Sequence, residues 1–147
     1  MGFDLNQQAL EGPDDNLRAV LAAAGLPVDD LTDPGRSFYR FSRGGQTVGL
    51  GGLELYGEAA LLRSIVVLPD QQGFGFGHAI TLALLDQAHK KGAAAAYVLT
   101  ETAAPFFQSL GFLPIARDDA PAAILTTRQA ASLCPASAAL MVRSLPA

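Results

Sequence analysis

The stretch Leu61–Leu85, LLRSIVVLPDQQGFGFGHAITLALL, decides the fold. It opens on a β-branched run that stops at Pro69, passes through Gly73, Gly75 and Gly77 at alternate positions, and continues as an apolar helical pattern. A strand–turn–helix junction is predicted. Glycines at such a junction remove the Cβ atoms that would keep an anion away from main-chain N–H groups. The helix opening at Gly75 or Gly77 adds its own unsatisfied N–H groups and positive dipole end. A hydrogen bond to a charged group is worth about 1.5–3 kcal/mol, so several together hold a pyrophosphate without any lysine. The plainer reading is a tight turn, which requires fewer glycines.

Upstream, NLRAVLAAAGLP repeats apolar residues at Leu17, Val20, Leu21 and Ala24. That spacing predicts a helix capped by Asp14 or Asp15 and stopped by Gly25 and Pro27. In SFYRFSRGGQTVGLGGLEL, Phe38, Arg40 and Ser42 alternate with Tyr39, Phe41 and Arg43. Gly44-Gly45 reads as a hairpin turn and YGEA as a second one, opening a strand over Ala60–Leu68. Three antiparallel strands are thus expected before the glycine segment. Downstream, a helix runs from Gly77 to Lys91, with Ile80, Leu84 and Ala88 on one side and Gly92 as its stop. AAAAYVLT fits a buried strand, APFFQSLGF a short helix ending at Gly111, and SAALMVRSL a final strand. The order is about β-α-β-β-β-α-β-α-β-β, a mixed α/β domain.

Composition narrows the function. A chain of 147 residues is expected to be one domain with a sizeable core. Half of it is hydrophobic, against disorder, and a net charge of -4 argues against a nucleic-acid partner. The single cysteine, Cys134, excludes a disulfide within the chain and offers no metal-ligand spacing; packing or a turn before Pro135 is expected for it. Neither a signal peptide nor a membrane-spanning run is visible, so a soluble cytoplasmic protein with no membrane partner is expected.

Two phosphate-binding motifs compare poorly. No Gly-Lys-Ser/Thr follows the glycines, which excludes a P-loop. A dinucleotide fingerprint would use Gly75 and Gly77, with Glu101 as the ribose acid, but its third glycine falls on Ile80 and hairpins precede the junction.

Gln72-Gly73-Phe74-Gly75-Phe76-Gly77 resembles the Gln/Arg-x-x-Gly-x-Gly/Ala signature of the GCN5-related N-acetyltransferases (GNAT). The resemblance extends, in order, to the VVLP strand end, the following helix and PFFQSLGF. It implies a central mixed, mostly antiparallel sheet flanked by helices and splayed at an acetyl-CoA site. It also implies that the acetyl-CoA pyrophosphate lies on the main-chain N–H groups of Gln72 through Gly77, with His78 close enough to touch phosphate. Pantetheine would pair with the main chain of Ile65, Val66 and Val67, and Phe106 or Phe107 would cover it. No metal is implied, and a homodimer is compatible with the resemblance.

Within the superfamily, GGLELYGEAALLRSIVV, LTETAAPFFQSLGFLPIARDDAPAAI and SLCPAS are most similar to the arsenic-resistance N-acetyltransferase group. LTETAAPFF and SLGF also resemble the acetyltransferase domain of N-acetylglutamate synthases. Both similarities imply a small amine or amino acid as acceptor. One cysteine is a poor trap for arsenic(III), which prefers several thiolates.

Acetyl transfer needs a neutral amine, a polarised thioester carbonyl and a proton for the leaving thiolate. Glu54, an acid in an otherwise apolar strand, is preferred as the candidate base over Glu58 in the YGEA turn; the alternative is that Glu54 faces solvent. Relatives often place a strand carboxylate three residues before Ser64, where this chain has Leu61, and a proton-donating tyrosine where it has Phe107. Arg63 and Ser64 lie beside the implied thioester channel. Arg63 is expected either to grip an acceptor carboxylate in a bidentate fork or to pair with Glu54 or Glu101. Thr100 and Glu101 are the candidate acceptor-recognition residues. A catalytically silent acyl-CoA sensor is the competing reading, motivated by Leu61 and Phe107.

Overall fold

The computed structural model describes residues 5–10, 14–26, 28–32, 35–127, 130 and 138–146. Cys134, Pro135, Pro27 and the SLCPAS stretch lie outside the described residues. The element order is β1 (Asn6–Leu10), α1 (Asp15–Ala23), β2 (Arg36–Arg43), β3 (Gln46–Tyr56), β4 (Ala59–Val67), α2 (Phe76–Lys90), β5 (Ala95–Thr100), α3 (Ala104–Ser109), β6 (Leu113–Pro114), α4 (Ala122–Leu125) and β7 (Ala139–Ser144). The strands form one mixed sheet in the order β1-β2-β3-β4-β5-β7-β6. The expected element order holds, with the short α4 added between β6 and β7.

The chain divides into two compact units, and both β3 and β4 pass from one to the other. The first comprises residues 1–54 and 63–84, the second residues 55–62 and 85–147.

In the first unit, local chemistry sets each element. Asp14 is the N-cap of α1 and accepts a hydrogen bond from the Leu17 N–H at 2.9 Å. The side chain thereby satisfies one of the helix's orphan donors. Leu17 and Leu21, one turn apart, are fully buried and form a core with Leu31, Phe38 and Leu50. Gly44 and Gly45 both take positive φ, 59° and 81°, the conformation that a two-residue hairpin turn needs to match strand twist. The alternation expected in β2 does not sort into an inner and an outer face. Phe38, Tyr39 and Phe41 are all buried, and the register shifts between Phe41 and Ser42. Apolar material covers this strand on both sides: Phe38 joins the α1 core, while the Phe41 ring lies against Gly51.

β3 carries glycines where α2 crosses it. A Cβ on Gly49 would lie 2.3 Å from the Val66 carbonyl oxygen and 2.7 Å from Ile80 Cδ1. One on Gly51 would lie 2.8 Å from Leu84 Cδ1. The missing side chains let Ile80 and Leu84 pack onto the strand backbone, which seats α2 against the sheet. Ile80, Leu84 and Ala88 are buried as expected, and so are Thr81 and Leu85, so the inward face of α2 is wider than the sequence pattern indicates.

In the second unit, β5 pairs in parallel with β4 from Ala59↔Ala95 to Leu61↔Tyr97, and antiparallel with β7 along its whole length. Ala59, Leu61, Tyr97, Ile124 and Leu140 make its core. Arg143 donates from Nη1 to the Leu110 carbonyl at 2.8 Å, tying the end of α3 to β7.

Candidate functional site

The junction between β4 and α2 is built from its turn residues outward. Burial along β4 falls from buried to half-buried at Ser64, so Ser64 through Val67 present a partly accessible strand. The strand ends where the Leu68 N–H bonds the Val48 carbonyl at 2.9 Å. A 3-10 turn, Pro69–Gln71, follows. The Gln72 amide reaches back and donates to the Val67 carbonyl at 3.1 Å, bracing the loop against the strand. Gly73 and Gly75 take φ of 86° and 83°, a region that other L-residues occupy only with strain. These two turns bring the chain into α2, whose first turn holds no acidic residue. Gly77 lies inside that turn, and its carbonyl accepts a hydrogen bond from the Thr81 hydroxyl at 2.8 Å.

The remaining loop side chains divide by direction. Phe76 is turned inward and buried, His78 is exposed, and Phe74 stands 61% exposed. A cavity of about 320 Å³ opens beside the loop, lined by Arg43, Gln46, Val48, Gln71, Phe74 and Phe76. The arrangement offers an anion a set of main-chain donors at a helix start, unobstructed by side chains at Gly73 and Gly75.

Next to this strand sits a buried charge cluster. Asp30, from the turn before β2, takes the Arg63 guanidinium on both carboxylate oxygens; its Oδ1 accepts from Nη2 at 2.7 Å and its Oδ2 accepts from Nη1. Glu54 Oε2 accepts from the same Nη1 at 3.0 Å. The Arg36 Nη2 lies 3.6 Å from both Asp30 and Glu54. The Arg63 guanidinium also stands 5.3 Å from the centre of the Phe38 ring, and its Nε donates to the Ser64 hydroxyl at 3.1 Å. Asp30 and Glu54 are fully buried and Arg63 nearly so. Two guanidinium groups against two carboxylates leave the cluster neutral, the condition under which charges are tolerated away from water. Removing one member of a buried pair typically costs about 3–5 kcal/mol.

The structure therefore brings Glu54, Arg63 and Ser64 together, and the pairing of Arg63 with Glu54 is present. Sequence reading missed Asp30 and Arg36. The buried-looking Arg63 signalled a need for partners, but Asp29, Asp30 and Asp33 stand almost adjacent and nothing local singles out Asp30.

The other predicted residues belong to the second unit. Thr100 is half-buried, and its hydroxyl accepts from the Ala103 N–H at 2.9 Å, closing the turn into α3; Glu101 is exposed. Phe107 is buried and packs edge-on against Phe106 and Phe112, with centroids at 5.1 and 5.4 Å. Leu61 is a core residue with 1% exposure. Burial pushes the Tyr97 hydroxyl above its ordinary pKa. Among the described residues no cluster of His, Cys, Asp and Glu could hold a metal, and no helix is long and apolar enough to cross a membrane.

Comparison with solved structures places the fold. The N-acetylglutamate synthase from Neisseria gonorrhoeae, complexed with coenzyme A and N-acetyl-glutamate, superposes with a TM-score of 0.78 at 16% identity. That match covers all of this chain but only 36% of the synthase, so this chain spans about a third of its length. The Bacillus subtilis acetyltransferase in complex with CoA gives 0.71 at 17% identity, covering 97% of this chain and all of that one. Tetrahymena GCN5 gives 0.73 at 16%, covering 97% and 96%. No curated protein matches the sequence significantly. The family model described as acetyltransferase (GNAT) domain matches residues 34–114, more than half of the sequence, a span that holds β2 through β6. The chain belongs to the acetyltransferase (GNAT) domain family.

Proposed function

We propose that this protein is an acetyl-CoA-dependent N-acetyltransferase acting on the amine of a small molecule. The observation that carries the proposal is the junction itself: a partly accessible strand, two glycines at positive φ and the start of a fifteen-residue helix. The pyrophosphate of acetyl-CoA is assigned to the main-chain N–H groups of Gln72 through Gly77, and pantetheine to the main chain of Ile65 through Val67. The acceptor is assigned to the amino acids or amino-bearing toxicants, following the two sequence similarities; an arsenic-resistance context belongs to this proposal.

In the reaction, the amine nitrogen bonds to the thioester carbonyl carbon, the carbon–sulfur bond breaks, and the amine proton is lost as the thiolate leaves. Glu54 has no exposed surface and its carboxylate faces two guanidinium groups, which supports a role in holding Arg63 over direct proton abstraction. Phe107 has no proton to give. The thiolate is therefore protonated by water or by a donor other than residue 107, and the amine proton passes to solvent.

Two measurements test the proposal. Acetyl-CoA should raise the melting temperature, since a ligand bound only by the folded state stabilises it by mass action, and NADH should not. Free thiol should then appear with acetyl-CoA and at least one amine of a panel of amino acids and amino-bearing toxicants. Stabilisation without thiol release across the panel would favour the silent sensor; stabilisation by NADH alone would sink both.

A further inference from the structure

Ser64 is the one described residue other than glycine with positive φ, at 58°. A left-handed residue with a side chain is strained, and strain persists only where the surroundings over-determine it. The surroundings are visible. The neighbouring guanidinium of Arg63 bonds the Ser64 hydroxyl through Nε, and is itself gripped by Asp30 on one side and Glu54 on the other. Asp30, Arg36, Glu54 and Arg63 come from four separate segments, so the clamp fixes β4 against β3 and the turn before β2 at one point. At that same point the strand passes from buried to half-buried. Asp30 and Glu54 have no exposed surface with which to touch a substrate.

We propose that Asp30 and Glu54 are positioning residues for the cofactor strand: by holding Arg63 they fix the left-handed turn at Ser64, and with it the direction of the Ile65–Val67 main chain that meets pantetheine. This inference rests on the acetyl-CoA reading above. It assigns the pantetheine arm, and not the nucleotide, as the part of the ligand that senses the clamp. The nucleotide half depends on the glycine loop, where Gly73 and Gly75 take positive φ without strain and the chain runs into α2.

The test compares two ligands on three proteins. CoA and phosphoadenosine diphosphate, which keeps the pyrophosphate and lacks pantetheine, are titrated calorimetrically into wild type, Asp30→Asn and Ser64→Ala, well below each melting temperature. Asp30→Asn should weaken CoA by about tenfold, equivalent to ~1.4 kcal/mol, while phosphoadenosine diphosphate stays within about twofold, inside the scatter expected of an uninvolved site. Ser64→Ala removes no buried charge and should show the same selective loss, smaller in size; it carries the test alone if Asp30→Asn does not fold. Unchanged CoA affinity in a folded variant overturns the inference. So does a parallel loss of both ligands, which a merely structural cluster would give. Wild type that binds neither ligand overturns the acetyl-CoA reading itself, and this inference with it.

Discussion

Gly49 faces Val66 with no room between them: a Cβ on the glycine would sit 2.3 Å from the Val66 carbonyl oxygen. That oxygen belongs to the backbone of the strand assigned to pantetheine and cannot swing aside. The contact links the packing of β3 to the strand that leads into the glycine loop.

Gly49→Ala should therefore destabilise the fold by ~3 kcal/mol or more, at or beyond the upper end of overpacking costs. Gly51→Ala should cost less, because the atoms it meets, Leu84 Cδ1 and Ile80 Cγ2, end flexible side chains. Urea unfolding of both variants checks the order, and equal midpoints would refute it.

At Gly73 the space is open but φ is 86°. Gly73→Ala should cost about 1–2 kcal/mol of left-handed strain, and Gly73→Asn less, since asparagine tolerates that region. Gly75→Val combines the same kind of strain at φ 83° with a branched side chain in the loop assigned to the pyrophosphate. Its CoA affinity should fall at least tenfold, about 1.4 kcal/mol. Wild-type affinity for CoA in folded Gly75→Val would remove the cradle from the account.

The charge cluster predicts non-additivity. Asp30→Leu alone leaves Arg63 without its bidentate partner and should cost about 3–5 kcal/mol. Adding Arg63→Met removes the orphaned charge, so the double variant should be more stable than the sum of the two single changes implies. A double-mutant cycle by denaturant unfolding measures this, with strict additivity as the contrary result.

Tyr97 predicts a loss at alkaline pH. Burial raises its pKa in the folded state above the ordinary value near 10. As pH passes that value, the unfolded chain loses the phenolic proton first and binds fewer protons than the folded one. The sign of the linkage relation then makes stability fall with rising pH. Wild type should lose more stability than Tyr97→Phe between pH 9 and 11, a window spanning about one unit either side of the ordinary value. Parallel curves would mean that the phenol ionises equally in both states.

What the sequence alone determined is what short-range chemistry controls. Gly44-Gly45, Gly73, Gly75 and Gly92 lie at left-handed positions because few other residues sit there without strain, and Asp14 caps α1 because its carboxylate reaches a donor three residues away. The element order and the glycine-rich junction between β4 and α2 follow from such signals, read within a few residues of each other. The tertiary structure decided the rest. Asp30 meets Arg63, Arg36 joins Glu54, and Gly49 must lack a side chain only because strand register and turn geometry bring them to particular neighbours. The cost of burying a charge or of adding a methyl group depends on what lies across the contact, and for these residues the partners lie as much as 33 positions away along the chain.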